Sequence, residues 1–281
     1  MSSRIVVGIS GWRYPPWRGV FYPQGLPQRL ELAFASRALP SIEINGSFYS
    51  LQSPSSYARW CRETPPGFMF SVKGSRFITH MLKLNEPEEA LARFFGSGML
   101  SLGPKLGPIL WQFPPFFKFH EDRFRKFFEM LPVDTGRAAE LARRRGELQR
   151  GAEPRETAPI RYAVEVRNDT YRDPAFARLL RDHQAALVVA DTAGKWPMFD
   201  EPTADFMYVR LHGDVELYAS GYSDAALDRW AGRIRSWSRG RDVFCYFDND
   251  AKVKAPGDAR MLMSKLKLSV ADLNRIWEGL D

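Results

Sequence analysis

The chain has 281 residues, 44% of them hydrophobic, which suffices for one large barrel or two small domains. Its two cysteines, Cys61 and Cys245, exclude a disulfide framework and a cysteine metal cluster, and they fit a reducing, cytoplasmic setting. A net charge of +7 admits nucleic acid as a partner, but no zinc spacing, basic zipper or Gly-aromatic RNA-binding signature accompanies it. The start, MSSRIVVGIS, lacks a signal-peptide pattern, and no apolar run approaches the roughly 18 residues that span a bilayer.

Eight β-rich runs follow one another, separated mostly by helical segments. RIVVGISG (4–11) is followed by the loop GWRYPPWRG and a helix over 27–39. SIEING (41–46) leads to SSYARWCRET, a second helix, and FMFSVKG (68–74) to the loop GSRFITH and a helix over 86–103. PILWQFP (108–114) precedes the helix HEDRFRKFFEML and then 137–161, which holds seven arginines against four glutamates. There AAELARRRGELQR reads as a solvated helix, with a loop, GAEPRETAP, after it. YAVEVRN (162–168) is followed by DPAFARLLRDHQ, opened by Asp and Pro, and AALVVADT (185–192) by a non-helical link over 193–205. FMYVRLHG (206–213) precedes the helix SDAALDRWAGRIRSWSRG and then VFCYFDND (243–250), after which Met261 and Met263 read as core of the last helix. This alternation predicts an α/β fold: a (β/α)8 TIM-type barrel forming a single domain, with an arginine-rich helix and loop inserted near 134–160.

In such a barrel side chains alternate between the lumen and the helical layer, and the lumen face becomes polar at the C-terminal mouth. Met207, Val209 and Leu211 are expected to face out, and Phe206, Tyr208, Arg210 and His212 in. The same reading turns Val188 and Ala190 out and Asp191 in. The convergent polar set is Ser10, Glu43, Asn45, Lys73, Gln112, Glu165, Arg167, Asp191, Arg210, His212 and Asp248. It reads as an active site, with a buried salt-bridge network plugging the barrel as the alternative.

These stretches also resemble a known family. VGISGWRYPPWRGVFYP, IEINGSFYSL, FSVKGSRFITHMLKL, LWQFPPFF, YAVEVRN, VVADT, YVRLHG and YFDND are similar, in order and over nearly the whole chain, to the YecE-like family, domain of unknown function 72. The resemblance implies a TIM-barrel-like fold and a map of motifs, but no reaction. Two departures stand out: Gly46-Ser47 follows Asn45 where the family has Thr, and Asp248-Asn249-Asp250 replaces paired asparagines and adds negative charge.

Loops supply further candidates. Trp12, Tyr14 and Trp17 with Arg13 and Arg18 either lie over the mouth to stack on a flat ligand or form a loop packing its own rings. Arg76 and His80 follow the third strand, and Tyr218 and Tyr222 the seventh, where neighbouring glycines permit motion. The chemistry these groups allow is general acid-base catalysis on a small anionic or sugar-like substrate by an isomerase, lyase or hydrolase. Glu165 is the expected base and Glu43 the expected acid, with Lys73 as anion anchor or Schiff-base amine. Asp191 and His212 complete the expected catalytic set. Trp12, Tyr14, Asn45, Arg76, Gln112, Arg167, Arg210, Tyr218, Tyr222, Asp248 and Asn249 are expected to bind substrate. A second reading places a divalent metal on Glu165, Asp191, His212 and Asp248, similar to sugar-isomerase barrels, although Arg167 and Arg210 would repel it. A third is a non-catalytic ligand- or nucleic-acid-binding barrel, its nucleic-acid contact weak and non-specific through 137–161.

Overall fold

Val, Ile, Phe and Tyr dominate the eight predicted runs, and in the computed structural model, which describes residues 3–269, each run forms a strand. The strands are β1 (Ile5–Ser10), β2 (Ser41–Ile44), β3 (Met69–Lys73), β4 (Leu106–Gln112), β5 (Tyr162–Glu165), β6 (Ala186–Asp191), β7 (Phe206–Leu211) and β8 (Asp242–Phe247). They close in chain order into a parallel barrel. Between them run α1 (Glu31–Ala38), a single turn α2 (Gly46–Tyr49), α3 (Pro54–Glu63), α4 (Glu88–Gly96), α5 (Glu121–Met130), α6 (Thr135–Arg144), α7 (Pro174–Asp182) and α8 (Asp224–Trp237), with α9 (Ala255–Lys265) after β8. Asp173 and Ser223 cap α7 and α8 by accepting from the backbone N–H of Ala175 and Ala226, as their sequences predict. No helix among the described residues is long and apolar enough to cross a membrane.

Packing divides the chain into two compact units: Met1–Glu43, Glu63–Met69 and Val188–Asp281 form the first, and Ile44–Arg62 with Phe70–Leu187 the second. In the first, Gly8 pairs with Ser41 and Tyr246, Ser10 with Glu43, and Arg210 with Tyr246 and Ala190. Parallel neighbours in register share a face, so these residues define the lumen side. Phe206 meets Phe244 and Tyr208 meets Tyr246 there, while Met207, Val209 and Leu211 are buried on the opposite face, as the alternation of β7 predicts.

In the second unit Gln112 pairs with Glu165 and Lys73 with Leu110 on one face. On the other, Trp111 packs against Phe94 of α4 and Phe127 of α5, at 5.2 and 5.3 Å between ring centroids. The β3–β4 register shifts between Phe70 and Val72, opposite the Gly107-Pro108 step, where proline lacks an N–H for the ladder.

Three expectations need correction. Ala186 pairs with Ala163 and Ala190 with Arg210, so Ala190 faces the lumen and Asp191 the helical layer, the reverse of the expected phase. The arginine-rich helix stops at Arg144, with Gly146 in the left-handed region at φ 70°. It is not solvated all round either: Ala138, Ala139 and Ala142 are buried, and α6 lies against α4. At its end two arginines are paired on the surface, Arg144 with Glu140 and Arg145 with Glu88. Met263 is core, but Met261 is 44% exposed.

Close approach of β1 to β2 depends on Gly8, where a Cβ would stand 2.3 Å from the Ser41 carbonyl oxygen. Backbone cannot swing aside as a side chain can. Gly8→Ala is therefore expected to destabilise the fold by about 1–3 kcal/mol in urea titrations, with an unchanged melt as the outcome that contradicts the packing.

Candidate active site

Ser10, Glu43 and Arg210 end β1, β2 and the lumen face of β7, and Asp248 and His212 stand just past β8 and β7. They form one network in the first unit. Arg210 donates from Nε to Glu43 Oε2 at 3.1 Å and from Nη2 to Glu43 Oε1 at 2.7 Å and Asp248 Oδ2 at 2.8 Å. Tyr208 donates its hydroxyl to Glu43 Oε2 at 2.7 Å, and the Ser10 hydroxyl donates to Oε1. His212 Nδ1 lies 3.0 Å from Asp248 Oδ2, and its ring meets Tyr218 edge-on at 5.3 Å. Glu43, Arg210 and His212 have no exposure, whereas the Asp248 side chain keeps 13%. The network runs outward from a sealed carboxylate to one that meets solvent. Glu43 is thus the counter-ion of Arg210, and this geometry does not favour the expected role of acid.

Asp250, two residues beyond Asp248, was not singled out in the sequence beyond the charge it adds. Burial, then the neighbouring Asp248 carboxylate, push its pKa up to about 6, against hydrogen bonding by Tyr14 and the charge of Arg210. The Tyr14 hydroxyl donates its one proton to the Ser10 carbonyl at 2.7 Å. The rest of its loop packs its own rings: Trp17 is fully buried against Tyr14, Phe21 and Tyr22, Trp12 is buried, and its carbonyl accepts from Tyr22. Arg18 pairs with Glu31, and Arg13 is exposed. Of the two readings of this loop, self-packing describes Trp12 and Trp17.

Asp191, Tyr222 and Asn249 belong to a latch rather than to the lumen network. Tyr222 donates to Asp191 Oδ2 at 3.2 Å and accepts from Gly213 N–H at 3.1 Å. Burial raises the pKa of Asp191, against bonds from Ala193, Tyr222 and Trp230 of α8. Asn249 is fully buried and donates from Nδ2 to the Ser220 carbonyl and to Asp258 of α9. These contacts tie the loop after β7 to β8 and α9. Asp258, absent from the sequence candidates, also accepts from Tyr222 N–H at 3.1 Å.

In the second unit Arg167 grips the fully buried Glu165 from Nε at 2.8 Å and Nη2 at 2.6 Å. Gln112 is buried beside Glu165, and Lys73 lies over the Phe48 ring, 4.3 Å from its centroid. Asn45 is half-buried at the start of α2, and exposed Arg76 lies over Tyr49 at 5.5 Å.

The four residues named for a metal do not make a donor set. Glu165 is held by Arg167, Asp191 by Tyr222 on the opposite face of its strand, and Asp248 by Arg210. Among the described residues no group of three or more His, Cys, Asp or Glu side chains could hold a metal ion.

An eight-stranded parallel α/β barrel with charged side chains at its C-terminal strand ends defines a TIM-type barrel. The chain belongs to the family described as Protein of unknown function DUF72, whose model matches residues 6–278. It is similar to the UPF0759 protein YunF of Bacillus subtilis, 30% identical over 118 residues, or 40% of this chain and 41% of that protein. It is also similar to the UPF0759 protein YecE of Escherichia coli K12, 26% identical over 138 residues, or 49% and 48% of the two chains. Each match thus spans less than half of the relative's length. A solved DUF72 family protein from Thermotoga maritima superposes with a TM-score of 0.77 at 25% identity, covering 94% of this chain and 99% of that one.

Removing Arg210 strands the buried Glu43 carboxylate. Arg210→Met should cost about 3–5 kcal/mol in denaturant titrations, and Glu43→Leu/Arg210→Met should cost less than the single change. A single variant as stable as the parent would contradict this account of the network.

Proposed function

We propose that this protein is an enzyme of general acid-base type, acting in the cytoplasm on a small anionic or sugar-like substrate. The observation that carries this reading is the pair of carboxylates after β8. Asp248 is bonded by Arg210 and lies 3.0 Å from His212 Nδ1, while Asp250 has its pKa pushed up to about 6. A carboxyl group with a raised pKa beside a second carboxylate can supply the acid in such a reaction. In this reading Asp250 delivers or takes the proton. Arg210 holds Asp248, and Glu43 keeps Arg210 in place. Tyr218, with φ 63°, borders His212 on a loop able to contact substrate. Glu165 stays a candidate base whose Arg167 clamp would have to loosen for proton transfer. Isomerase, lyase and hydrolase chemistry all fit this proton inventory.

The test is pH dependence. Turnover that uses protonated Asp250 should fall above about pH 6, and Asp250→Asn should remove that limb. A stability signature accompanies it without any substrate. The folded chain holds this proton to about pH 6, whereas an unfolded Asp releases it near 3.8. Raising pH between those values therefore removes stability from the parent. Thermal melts across that window should show this loss in the parent and not in Asp250→Asn. Equal slopes in both would remove the acid from the proposal.

Nucleic-acid binding is proposed to be weak and lost with salt, carried by the surface arginines after Asp134. Arg143→Glu/Arg144→Glu should abolish what filter binding detects. Salt-resistant binding that needs Arg167 or Arg210 would favour a nucleic-acid enzyme instead.

A further inference from the structure

We infer that residues 213–222 are a lid over His212 and that Asn249 is the positioning residue that holds this lid closed. The inference rests on the acid-base reading for what the lid admits, while its opening is measurable without substrate.

The segment is built as one moving body. Ser220 Oγ accepts from the backbone N–H groups of Val215 and Glu216, each at 3.0 Å. The N–H groups of Ala219 and Ser220 return to the Glu216 carbonyl at 3.2 and 3.0 Å. Residues 215–220 are thus closed on themselves. Glycines flank them. Gly213 has φ 130°, and a Cβ there would stand 2.3 Å from the Glu216 carbonyl oxygen, so this end of the segment admits no side chain. Gly221 precedes Tyr222, whose N–H bonds Asp258 and whose hydroxyl accepts from Gly213 N–H, so both ends are fixed to the framework.

His212 lies beneath and has no exposure. The Tyr218 ring meets it edge-on at 5.3 Å, and the Tyr218 N–H donates to the His212 carbonyl at 2.5 Å. A substrate can meet this imidazole only after part of its covering moves, and the segment that bears Tyr218 is the part with a glycine at each end. Tyr218 sits at φ 63°, a left-handed conformation that costs a residue with a side chain free energy. Outside ties therefore have to hold the closed form.

Those ties come from the chain just after β8. Asn249, fully buried, donates from Nδ2 to the Ser220 carbonyl at 2.8 Å and to Asp258 Oδ2 of α9 at 2.7 Å. The Ala251 N–H donates to the Tyr218 carbonyl at 3.1 Å. Lys252 pairs with Glu216 at 2.7 Å, but both side chains are 60% exposed, and a pair so solvated contributes little. The Asn249 bonds form without competing water and carry more. An amide suits the position: one nitrogen reaches lid and helix together, and no charge is added between Asp248 and Asp250. Asp248 serves the Arg210 network and the next residue serves the lid, so access to the site and the field within it are set by neighbours in the chain.

Native-state hydrogen exchange on the full chain tests the lid. The bonds from Tyr218 N–H and Ala251 N–H cross from lid to framework, so in the parent these two amides should share one opening, well before the amides of β7 and α8 exchange. Asn249→Leu should speed both by about tenfold or more, since the Ser220 carbonyl loses a buried donor, and leave Val209 of β7 and Ile234 of α8 as they were. Modification of His212 by diethyl pyrocarbonate, located by mass spectrometry, should accelerate by the same factor. Lys252→Ala should change these rates by less. Tyr218 and Ala251 amides no faster in Asn249→Leu than in the parent, a rise shared equally by Val209, or an unmoved His212 modification rate would each overturn the role of Asn249. If Asn249→Leu does not fold, the parent decides: Tyr218 and Ala251 exchanging only with β7, in global unfolding, would overturn the lid. An Asp250→Asn variant that keeps its pH limb while these outcomes hold would strike the acid-base reading and leave the lid standing.

Discussion

The sealed ion pair between Glu43 and Arg210 is the interaction on which the first unit's site depends. Both side chains have no exposure, and each would be costly in the barrel without the other. A salt bridge so deep contributes little to stability on balance, since apolar residues could fill the same volume. What it supplies is position. Arg210 engages Glu43 along two N–H directions, and its Nη2 also reaches Asp248. Tyr208 and Ser10 engage the remaining lone pairs of Glu43, so the guanidinium has little freedom to turn. The first carboxylate after β8 is thereby fixed from inside the barrel.

Part of this arrangement is legible in the sequence. In β7 the alternation of FMYVRLHG ends in a cation and an imidazole on one side only, and that asymmetry fixes its phase. In β6 the same reasoning inverts, because ALVVA is apolar on both faces and the single polar residue comes last. A terminal Asp satisfies either phase, and the partners that decide it, Tyr222 and Trp230 of α8, are distant in sequence. The polar role of interior tyrosines is hidden for a related reason. Tyr208 reads as apolar bulk, yet its hydroxyl bonds Glu43, and Tyr246 shares a 2.8 Å bond with Ser41 deeper in the lumen. No local pattern separates a ring that fills space from one whose hydroxyl orients a carboxylate.

The charge surplus reads differently once positions are known. A basic chain suggests a polyanion partner, but many arginines sit in helical pairs such as Arg125 with Glu121 and Arg144 with Glu140, where exposure makes each worth little. Two other cations are nearly buried. Lys73 and Arg167 occupy low-dielectric surroundings, where one charge is felt far more strongly than on an open helix. Burial first, and then Lys73, Arg167 and Arg76, hold the His80 pKa down to about 4. Net charge alone could not have distinguished the two populations.

The same contrast explains why an acid is better placed outside the Glu43–Arg210 network than within it. A carboxyl group that closes a buried ion pair cannot exchange its proton without leaving a cation uncompensated, and that cost would be added to the barrier of every cycle. Asp250 avoids it. It is partly buried and repelled by Asp248, which favour the protonated form, yet it lies near enough to Arg210 and Tyr14 that its anion is also accommodated. Neither protonation state is forbidden, and the proton can come and go near neutral pH. An amide at position 250 would hold a hydrogen bond but carry no exchangeable acid. In the proposed reaction a rigid network beside one adjustable carboxyl group would divide the labour: the network would keep the field constant, and the adjustable group would move the proton within it.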